Sequence, residues 1–209
     1  MYSGIKSCVI DSHNNASDYF ESHVGVRQGE CLSPLLFSLF LNDIESFFMK
    51  HDVVGVTVKE RPIAEEFLRL LVLLYADDTI LLSNTAKGLQ DALQSLELYC
   101  NTWKLKVNSS KTKVMVCSTK RKEINYKFMY DNTQLEIVKS YKYLGVLFVD
   151  NGSFSTCKTQ LKKQAERAMF CLLRKCRKLD LTVDLQLELF DKIVTPILLY
   201  GCEIWGTKI

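Results

Sequence analysis

The sequence predicts an α+β fold: a small antiparallel sheet packed on helices over residues 1–150, then an all-helical segment over residues 151–209. Three observations predict it. Apolar residues recur at helical spacing over residues 86–103 and again from residue 155 onward. Short apolar runs separated by turn residues, typical of β-strands, fill the intervening stretch. An apolar run over residues 67–75 stops at Asp77 and Asp78 and resumes over residues 79–82, which predicts a β-hairpin with carboxylates at its tip.

Length and composition restrict the class of protein. The 209 residues, of which 47% are apolar, suit one folded domain or one domain with a small addition, and they argue against disorder. No apolar run approaches the ~20 residues that cross a bilayer, and no signal peptide opens the chain. The eight cysteines and three histidines lack zinc-site spacing. We therefore expect reduced thiols and an intracellular protein of the cytoplasm or nucleus.

The net charge of +3 is unevenly distributed along the chain. Residues 104–127 carry eight Lys or Arg against one Glu, and residues 155–180 carry eight against two acidic residues. The remainder is therefore acidic. Two local basic blocks favour an anionic partner such as nucleic acid, although charge alone is equally compatible with two solvated faces.

The first elements precede the acidic hairpin. Residues 17–24 are compatible with a strand, and two glycines at positions 25 and 29 bracket a loop, because glycine adopts backbone angles that other residues resist. Ser33 followed by Pro34 predicts a helix start, with the hydroxyl as N-cap and proline at the first helical position. The helix is predicted to continue through an apolar stripe formed by Leu35, Leu36, Leu39, Phe40, Ile44 and Phe47.

The apolar run over residues 67–75 predicts a buried strand of the hairpin, and residues 86–103 predict an amphipathic helix. Strands are predicted over residues 105–108 and 112–117, joined by residues 109–111. Asp131 and Asn132 predict a turn, and residues 141–149 predict the strongest strand of this part.

Helical spacing dominates after the composition changes near residues 150–152. The apolar face of the first helix consists of Leu161, Ala165, Met169, Leu172 and Cys176. Its basic residues, among them Lys158, Lys162, Arg174, Lys175 and Lys178, lie largely off that face. A last helix is predicted over about residues 182–204, with a kink or break at Pro196.

Asp77 and Asp78 are the sharpest chemical signal. Two ionised carboxylates in one tight turn repel each other, and a divalent cation is the natural counter-charge. A solvated acidic turn is the alternative, but such a turn does not require apolar flanks. Because side chains alternate along a strand, we expect one aspartate to be the main ligand and the other a weaker one.

Six segments resemble reverse transcriptases of the LINE type. Tyr75, Ala76, Asp77 and Asp78 resemble the catalytic hairpin. Residues 25–29 (GVRQG) and 32–37 (LSPLLF) resemble the loop and helix that precede it, in a form closer to LINE elements than to intron maturases or retroviral enzymes. The other similar segments are residues 108–112, the stretch with Tyr143, Leu144 and Gly145, and residues 196–205. Together they cover about residues 20–206 in the family's order.

The resemblance implies a partial polymerase palm over residues 1–150 and a helical thumb over residues 151–209. It implies two-metal nucleotidyl transfer with an RNA template, a DNA primer and dNTPs. Mg²⁺, or alternatively Mn²⁺, would be held by Asp77 and Asp78, and Lys111 would act at the leaving pyrophosphate. Arg27, Gln28, Gly29, Tyr75 and Ala76 would lie against template and nucleotide, whereas Tyr143, Leu144 and Gly145 would hold the primer end.

One element of the family's pattern has no match. The family needs a further catalytic aspartate upstream of the Gly25 loop, and Asp11, Asp18 and Glu21 do not stand in a matching context. We therefore expect a truncated product or partial gene product that is inactive without the N-terminal part of the polymerase. The alternative is a non-catalytic nucleic-acid-binding relic. A maturase is a weaker alternative, which the GVRQG form disfavours.

Overall fold

The computed structural model describes residues 5–22, 25–27, 29–59, 67–118 and 125–206. The chain divides into two compact units, Met1–Lys106 and Val107–Ile209. Helices and small, mainly antiparallel sheets occur together in the described part, which confirms the α+β class. The boundary near residue 150 stays a prediction.

The first unit contains three helices and three antiparallel strand pairs in its described residues. Its elements are β1 (Ile5–Ser7), β2 (Phe20–Ser22), α1 (Ser33–Phe40), α2 (Ile44–Lys50), β3 (Val56–Lys59), β4 (Phe67–Leu70), β5 (Val72–Tyr75), β6 (Asp78–Leu81) and α3 (Ala86–Trp103). Strand β1 pairs with β2, β3 with β4, and β5 with β6. The predicted strand over residues 17–24 is thus reduced to β2, and its residues 23–24 lie outside the described part.

The helix predicted from Ser33 onward is two helices. Helix α1 ends at Phe40, and a turn precedes α2. The turn brings Leu41, Ile44 and Phe48 into the core and leaves Leu35 and Leu39 exposed. The predicted apolar stripe is therefore wrong in part, because the break changes which side of the segment faces the core.

One hydrophobic core joins the helices to the base of the hairpin. Its buried members are Leu41, Ile44, Phe48, Val53, Leu71, Ala92 and Tyr99, with Val72 and Leu81 packed against them. Helix α3 begins at an N-cap, Thr85, whose hydroxyl accepts a 3.0 Å hydrogen bond from the Gly88 amide. The predicted helix over residues 86–103 is confirmed, and it anchors the base of the hairpin.

The second unit consists of short strands followed by helices. Its elements are β7 (Lys113–Val114), β8 (Met129–Tyr130), β9 (Thr133–Gln134), β10 (Glu136–Ile137), β11 (Ser140–Tyr143), β12 (Val146–Val149), α4 (Ser155–Leu179), α5 (Val183–Ile193), α6 (Thr195–Leu198) and α7 (Cys202–Trp205). Strand β7 pairs with β10 in parallel, whereas β8–β9 and β11–β12 are hairpins. The turn predicted at Asp131 and Asn132 is confirmed, with positive φ at both residues.

Three predictions for the chain after α3 are wrong. Residues 105–108 form no strand, and within residues 112–117 only Lys113–Val114 is one. The strand predicted over residues 141–149 is a hairpin. The last helix is interrupted near Pro196, as predicted, and again at Gly201, where φ is 68°.

Helix α4 buries the face that its spacing predicts. Leu161, Ala165, Leu172 and Cys176 are buried and Met169 is partly buried. The eight cysteines of the chain, which all lie in the described part, form no disulfide bond; Cys100, Cys157 and Cys176 are buried, whereas Cys31, Cys117 and Cys171 are exposed. Among the described residues, none of the helices combines the length and apolar character needed to span a membrane.

Candidate functional site

The tip of the β5–β6 hairpin carries both candidate aspartates. Tyr75 pairs with Asp78, so Ala76 and Asp77 form a two-residue turn. Ala76 has φ of 51°, and a positive φ at the first turn position is a property of the turns that suit hairpin twist. The predicted hairpin with carboxylates at its tip is therefore present.

The outer half of the hairpin is exposed, in contrast to the buried strand that the sequence predicts. Leu73 is 41%, Leu74 40% and Tyr75 62% exposed. The reason is that β5 has one strand neighbour in the described part, so only the base of the hairpin packs on the core. The apolar run over residues 67–75 is also divided into β4 and β5, which pair with different strands.

Both carboxylates at the tip face solvent. Water and salt screen their mutual repulsion, so the fold does not need a cation to neutralise them. Their oxygen donors nevertheless fit Mg²⁺, which is commonly held by one or two carboxylates together with water and substrate phosphates. No cluster of three or more His, Cys, Asp or Glu side chains arranged for a metal ion occurs within the described ranges. Asp77 and Asp78 thus fit as part of a ligand set.

An open groove of about 270 Å³ lies beside the hairpin, between β5 and the helix pair α1–α2. Its lining includes Ser38 and Asn42 from the helical side and Leu74 and Ala76 from the strand side. The groove therefore reaches the turn that bears Asp77, and its polar lining consists of the Ser38 hydroxyl, the Asn42 amide and the Glu45 carboxylate.

The glycine loop is tied to the start of α1. Gly25 and Gly29 have φ of 95° and 84°, which confirms that this loop uses backbone angles suited to glycine. Ser33 is not the predicted N-cap, because Leu32 holds that position without a side-chain bond. The buried Ser33 hydroxyl instead donates to the Arg27 carbonyl.

Of the three predicted site residues in this loop, the structure describes Arg27 and Gly29. The Arg27 guanidinium forms a 3.2 Å ion pair with Glu30, three residues on in the sequence. Gly29 has open space where a side chain would project. Gln28 lies outside the described residues.

Lys111 belongs to the second unit and lies in a polar turn. Its amide donates to the Asn108 carbonyl at 3.1 Å, and the Ser110 hydroxyl donates to the Asn108 side chain at 2.6 Å. The Tyr141 hydroxyl reaches the Lys111 carbonyl at 3.4 Å. The Tyr141 bond thus holds the Lys111 backbone beside β11, and Lys111 itself is exposed.

The remaining predicted site residues form the β11–β12 turn. Tyr143 pairs with Val146, which places Leu144 and Gly145 in the turn rather than in a strand. Their φ values are 45° and 83°, and positive φ at both positions is the pattern of a type I′ turn. The candidate site residues therefore fall into two sets, one in each unit.

Two positioning contacts were not predicted from the sequence. Ser33 bonds the Arg27 carbonyl, and the Tyr200 hydroxyl bonds the Leu144 carbonyl at 2.7 Å. The second contact joins residues 56 positions apart, a separation that local patterns do not report. For Ser33, a serine directly before proline is typical of an N-cap, so the sequence predicted a bond to a helix amide rather than to the Arg27 carbonyl.

The basic residues of α4 are exposed along the helix. They are Lys158, Lys162, Lys163, Arg167, Arg174, Lys175, Arg177 and Lys178. Lys162 lies 3.8 Å from Glu166, and the Lys158 ammonium lies 5.2 Å from the centroid of the Trp205 ring. In the other basic block, residues 119–124 lie outside the described part. Helix α4 thus presents a positive surface suited to phosphate groups.

Comparison with known families gives a match over most of the chain. The family model described as "Reverse transcriptase (RNA-dependent DNA polymerase)" matches residues 2–148. The matched region contains the β5–β6 hairpin, the glycine loop, Lys111 and the β11–β12 turn.

Several curated proteins are similar in sequence. The chain is 29% identical over 191 residues to "Probable RNA-directed DNA polymerase from transposon BS" of Drosophila melanogaster, covering 87% of this chain and 20% of the relative. It is 27% identical over 192 residues to "RNA-directed DNA polymerase from mobile element jockey" of the same species, covering 87% and 19%. It is 33% identical over 141 residues to "Retrovirus-related Pol polyprotein from type-1 retrotransposable element R2" of Nasonia vitripennis, covering 61% and 12%. The chain thus spans about a fifth of the first two relatives.

Proposed function

The chain belongs to the reverse transcriptase family, in its LINE-type branch, and from this premise we propose that its Asp77–Asp78 hairpin serves templated nucleotidyl transfer. The template would be RNA, the primer DNA and the substrates dNTPs. The observation that carries the proposal is the hairpin itself. Two carboxylates project at an exposed tip whose base is fixed in the core, within the matched region.

Asp77 and Asp78 would hold Mg²⁺, with Mn²⁺ as an alternative. Bound metal would supply positive charge to the phosphates as bonds form and break. The chain's own contribution is placement. The turn places Asp77 at the tip of the hairpin and Asp78 at the first position of β6. The packing of Val72 and Leu81 against the core fixes the base of the hairpin.

The neighbouring residues would bind template and nucleotide. Tyr75 and Ala76 flank the carboxylates, and the groove beside Ala76 offers space next to them. Arg27, Gln28 and Gly29 would contact the incoming nucleotide and the template base. The Ser33 bond and the Arg27–Glu30 ion pair support this role by restricting the loop backbone.

The second unit would contact the leaving group and the primer. The Lys111 ammonium would neutralise charge on the departing pyrophosphate, and Tyr143, Leu144 and Gly145 would hold the primer 3′ end. The exposed basic face of α4 would follow the duplex backbone by sequence-independent phosphate contacts. In these terms residues 1–150 form a partial palm and residues 151–209 a thumb.

A further polymerase segment would complete the site. Leu73 and Leu74 are about two-fifths exposed on a hairpin of two strands, and exposed apolar side chains beside a strand edge favour covering by another segment. We propose that this segment is the preceding part of the polymerase and that it brings another carboxylate to the metals.

Primer extension tests the proposal. The purified chain alone is expected to incorporate no dNTP, whereas the chain joined to the preceding polymerase part should extend a primer with Mg²⁺. The variant Asp77→Asn should abolish extension, and Asp91→Asn, which changes an exposed carboxylate on α3, should not. Robust Asp77-dependent synthesis by the chain alone would overturn the need for a further segment. Equal extension by Asp77→Asn would overturn the catalytic role.

The second candidate is a nucleic-acid-binding protein without catalysis, favoured by the exposed basic residues of α4. It predicts duplex binding that weakens as salt rises, does not require Mg²⁺ and is unchanged by Asp77→Asn. Metal-dependent extension by the joined protein would exclude it.

A further inference from the structure

The β11–β12 turn is held by a residue far along the chain. The Tyr200 hydroxyl donates a 2.7 Å hydrogen bond to the Leu144 carbonyl. The Tyr200 ring covers the next residue so closely that a Cβ on Gly145 would lie 2.7 Å from Cε1 of the ring. Tyr200 therefore contacts both central residues of the turn.

Tyr200 is itself fixed from behind. The Trp205 indole donates a 2.9 Å hydrogen bond to the Tyr200 carbonyl. Gly201 also lies close to β12, since a Cβ there would be 2.7 Å from Cγ2 of Val146. Trp205 packs against a small core of Val146, Cys157 and Leu161. The connection between α6 and α7 thus packs closely against the β11–β12 hairpin.

The contact has a local reason in backbone energetics. Leu144 has φ of 45°, a left-handed conformation that is unfavourable for a residue with a Cβ. Holding its carbonyl in a fixed direction offsets that cost. Tyr200 is half exposed, so burial of its ring contributes less than it would for a core tyrosine. The hydroxyl bond and the cover over Gly145 are its specific contacts.

We propose that Tyr200 is a positioning residue that fixes the Leu144–Gly145 turn and thereby sets how the protein holds a primer 3′ end. The first part stands on geometry alone, and the second rests on the proposed function. Leu144 and Tyr200 are both partly exposed, so a nucleic acid end has access to the turn that Tyr200 holds.

Amide hydrogen exchange on the full chain tests the first part. Tyr200→Phe removes the hydroxyl and keeps the ring, and it should speed exchange of the Val146 amide, at the strand pair that closes the turn, about fivefold, the factor that corresponds to one ordinary hydrogen bond. Gly145→Ala, whose Cβ would meet the ring, should also speed exchange there. The matched control is Tyr126→Phe, which changes a tyrosine packed on Phe128 in the same unit and should leave the turn unaffected. Unchanged exchange in Tyr200→Phe would overturn the positioning role.

Affinity for two DNA–RNA duplexes tests the second part, one with a recessed primer 3′ end and one blunt. Tyr200→Phe should weaken binding to the recessed end about fivefold and leave binding to the blunt duplex unchanged. Equal losses on both duplexes, or none, would overturn a role at the primer end. The two parts can fail separately. If Tyr200→Phe speeds exchange but the unsubstituted protein binds recessed and blunt duplexes equally, Tyr200 still positions the turn. That result would count against the proposed primer-binding function of the turn.

Discussion

The Tyr99 hydroxyl donates a 2.6 Å hydrogen bond to the carboxylate of Asp43, which stands at the start of α2. Tyr99 lies on α3 and is fully buried among the core residues that support the hairpin base. Burial, followed by the bond to Asp43, raises the pKa of Tyr99 well above its ordinary value. The hydrogen bond thus joins α3 to the start of α2, and both helices pack against the base of the β5–β6 hairpin.

Replacing Tyr99 with Phe should remove a pH dependence of stability. Because the folded pKa of Tyr99 is raised, its contribution is fully present below the ordinary value near 10 and is lost as pH rises above it. Between about pH 10 and 11 the free energy of unfolding should fall by about 1 kcal/mol more in the unsubstituted protein than in Tyr99→Phe. Urea denaturation across this range measures the difference, and parallel pH profiles would contradict it.

Ser33→Ala should loosen the glycine loop. Without the Ser33 hydroxyl, the Arg27 carbonyl loses its bond, and the loss costs about 1 kcal/mol. Trypsin cleaves at the carboxyl side of arginine, so cleavage after Arg27 should become about fivefold faster. Ser38→Ala, on the exposed side of the same helix, is the control. Equal cleavage in both variants would show that the bond does not restrain the loop.

Substitutions of Ala76 should change the free energy of unfolding according to how well each residue adopts the left-handed backbone conformation at this turn position. Glycine has no Cβ penalty at φ of 51°, so Ala76→Gly should raise the free energy of unfolding by about 0.5–1 kcal/mol after its entropic cost. Ala76→Val should lower it, since a β-branched residue rarely adopts positive φ. Denaturation curves of both variants measure these opposite shifts. A less stable Ala76→Gly would contradict the turn geometry.

Substitutions on α4 should change the salt dependence of duplex binding. Arg174→Ala and Lys178→Ala each remove one exposed cation, and the slope of log K against log salt should become shallower by about 0.9 for each phosphate that the helix no longer neutralises. Fluorescence anisotropy with a labelled duplex gives these slopes. Lys192→Ala, on α5 beside Glu188, should leave the slope unchanged. If it shifts the slope as much as the α4 variants, binding follows total charge rather than this helix.

Local sequence signals predicted the elements that depend on neighbours in the chain. Helix α3 has a capping threonine and regular apolar spacing, and its bounds match the prediction. The Asp77–Asp78 hairpin follows from an acidic break between apolar runs. In each case, residues within one or two turns of chain determine the structure.

Tertiary contacts decided the features that the sequence did not indicate. Leucine is not a turn residue, so Leu144 with φ of 45° gave no sign of the β11–β12 turn. Asn42 and Asp43, which are turn-forming residues, lie in the break between α1 and α2, but only the burial of Leu41 and Ile44 shows which side of the segment packs into the core. The exposure of Leu73 and Leu74 reflects how many strands flank β5, which the hairpin's own residues do not encode.

Binding of Mn²⁺ to the hairpin tip is the most direct test of the claim that Asp77 and Asp78 hold divalent ions. Paramagnetic broadening of backbone amide signals locates the ion without requiring polymerase activity. Titration of the isotopically labelled chain should broaden residues 75–79 first, and Asp77→Asn should remove this broadening whereas Asp91→Asn retains it. Broadening that is absent at the tip, or that persists unchanged in Asp77→Asn, would contradict the claim.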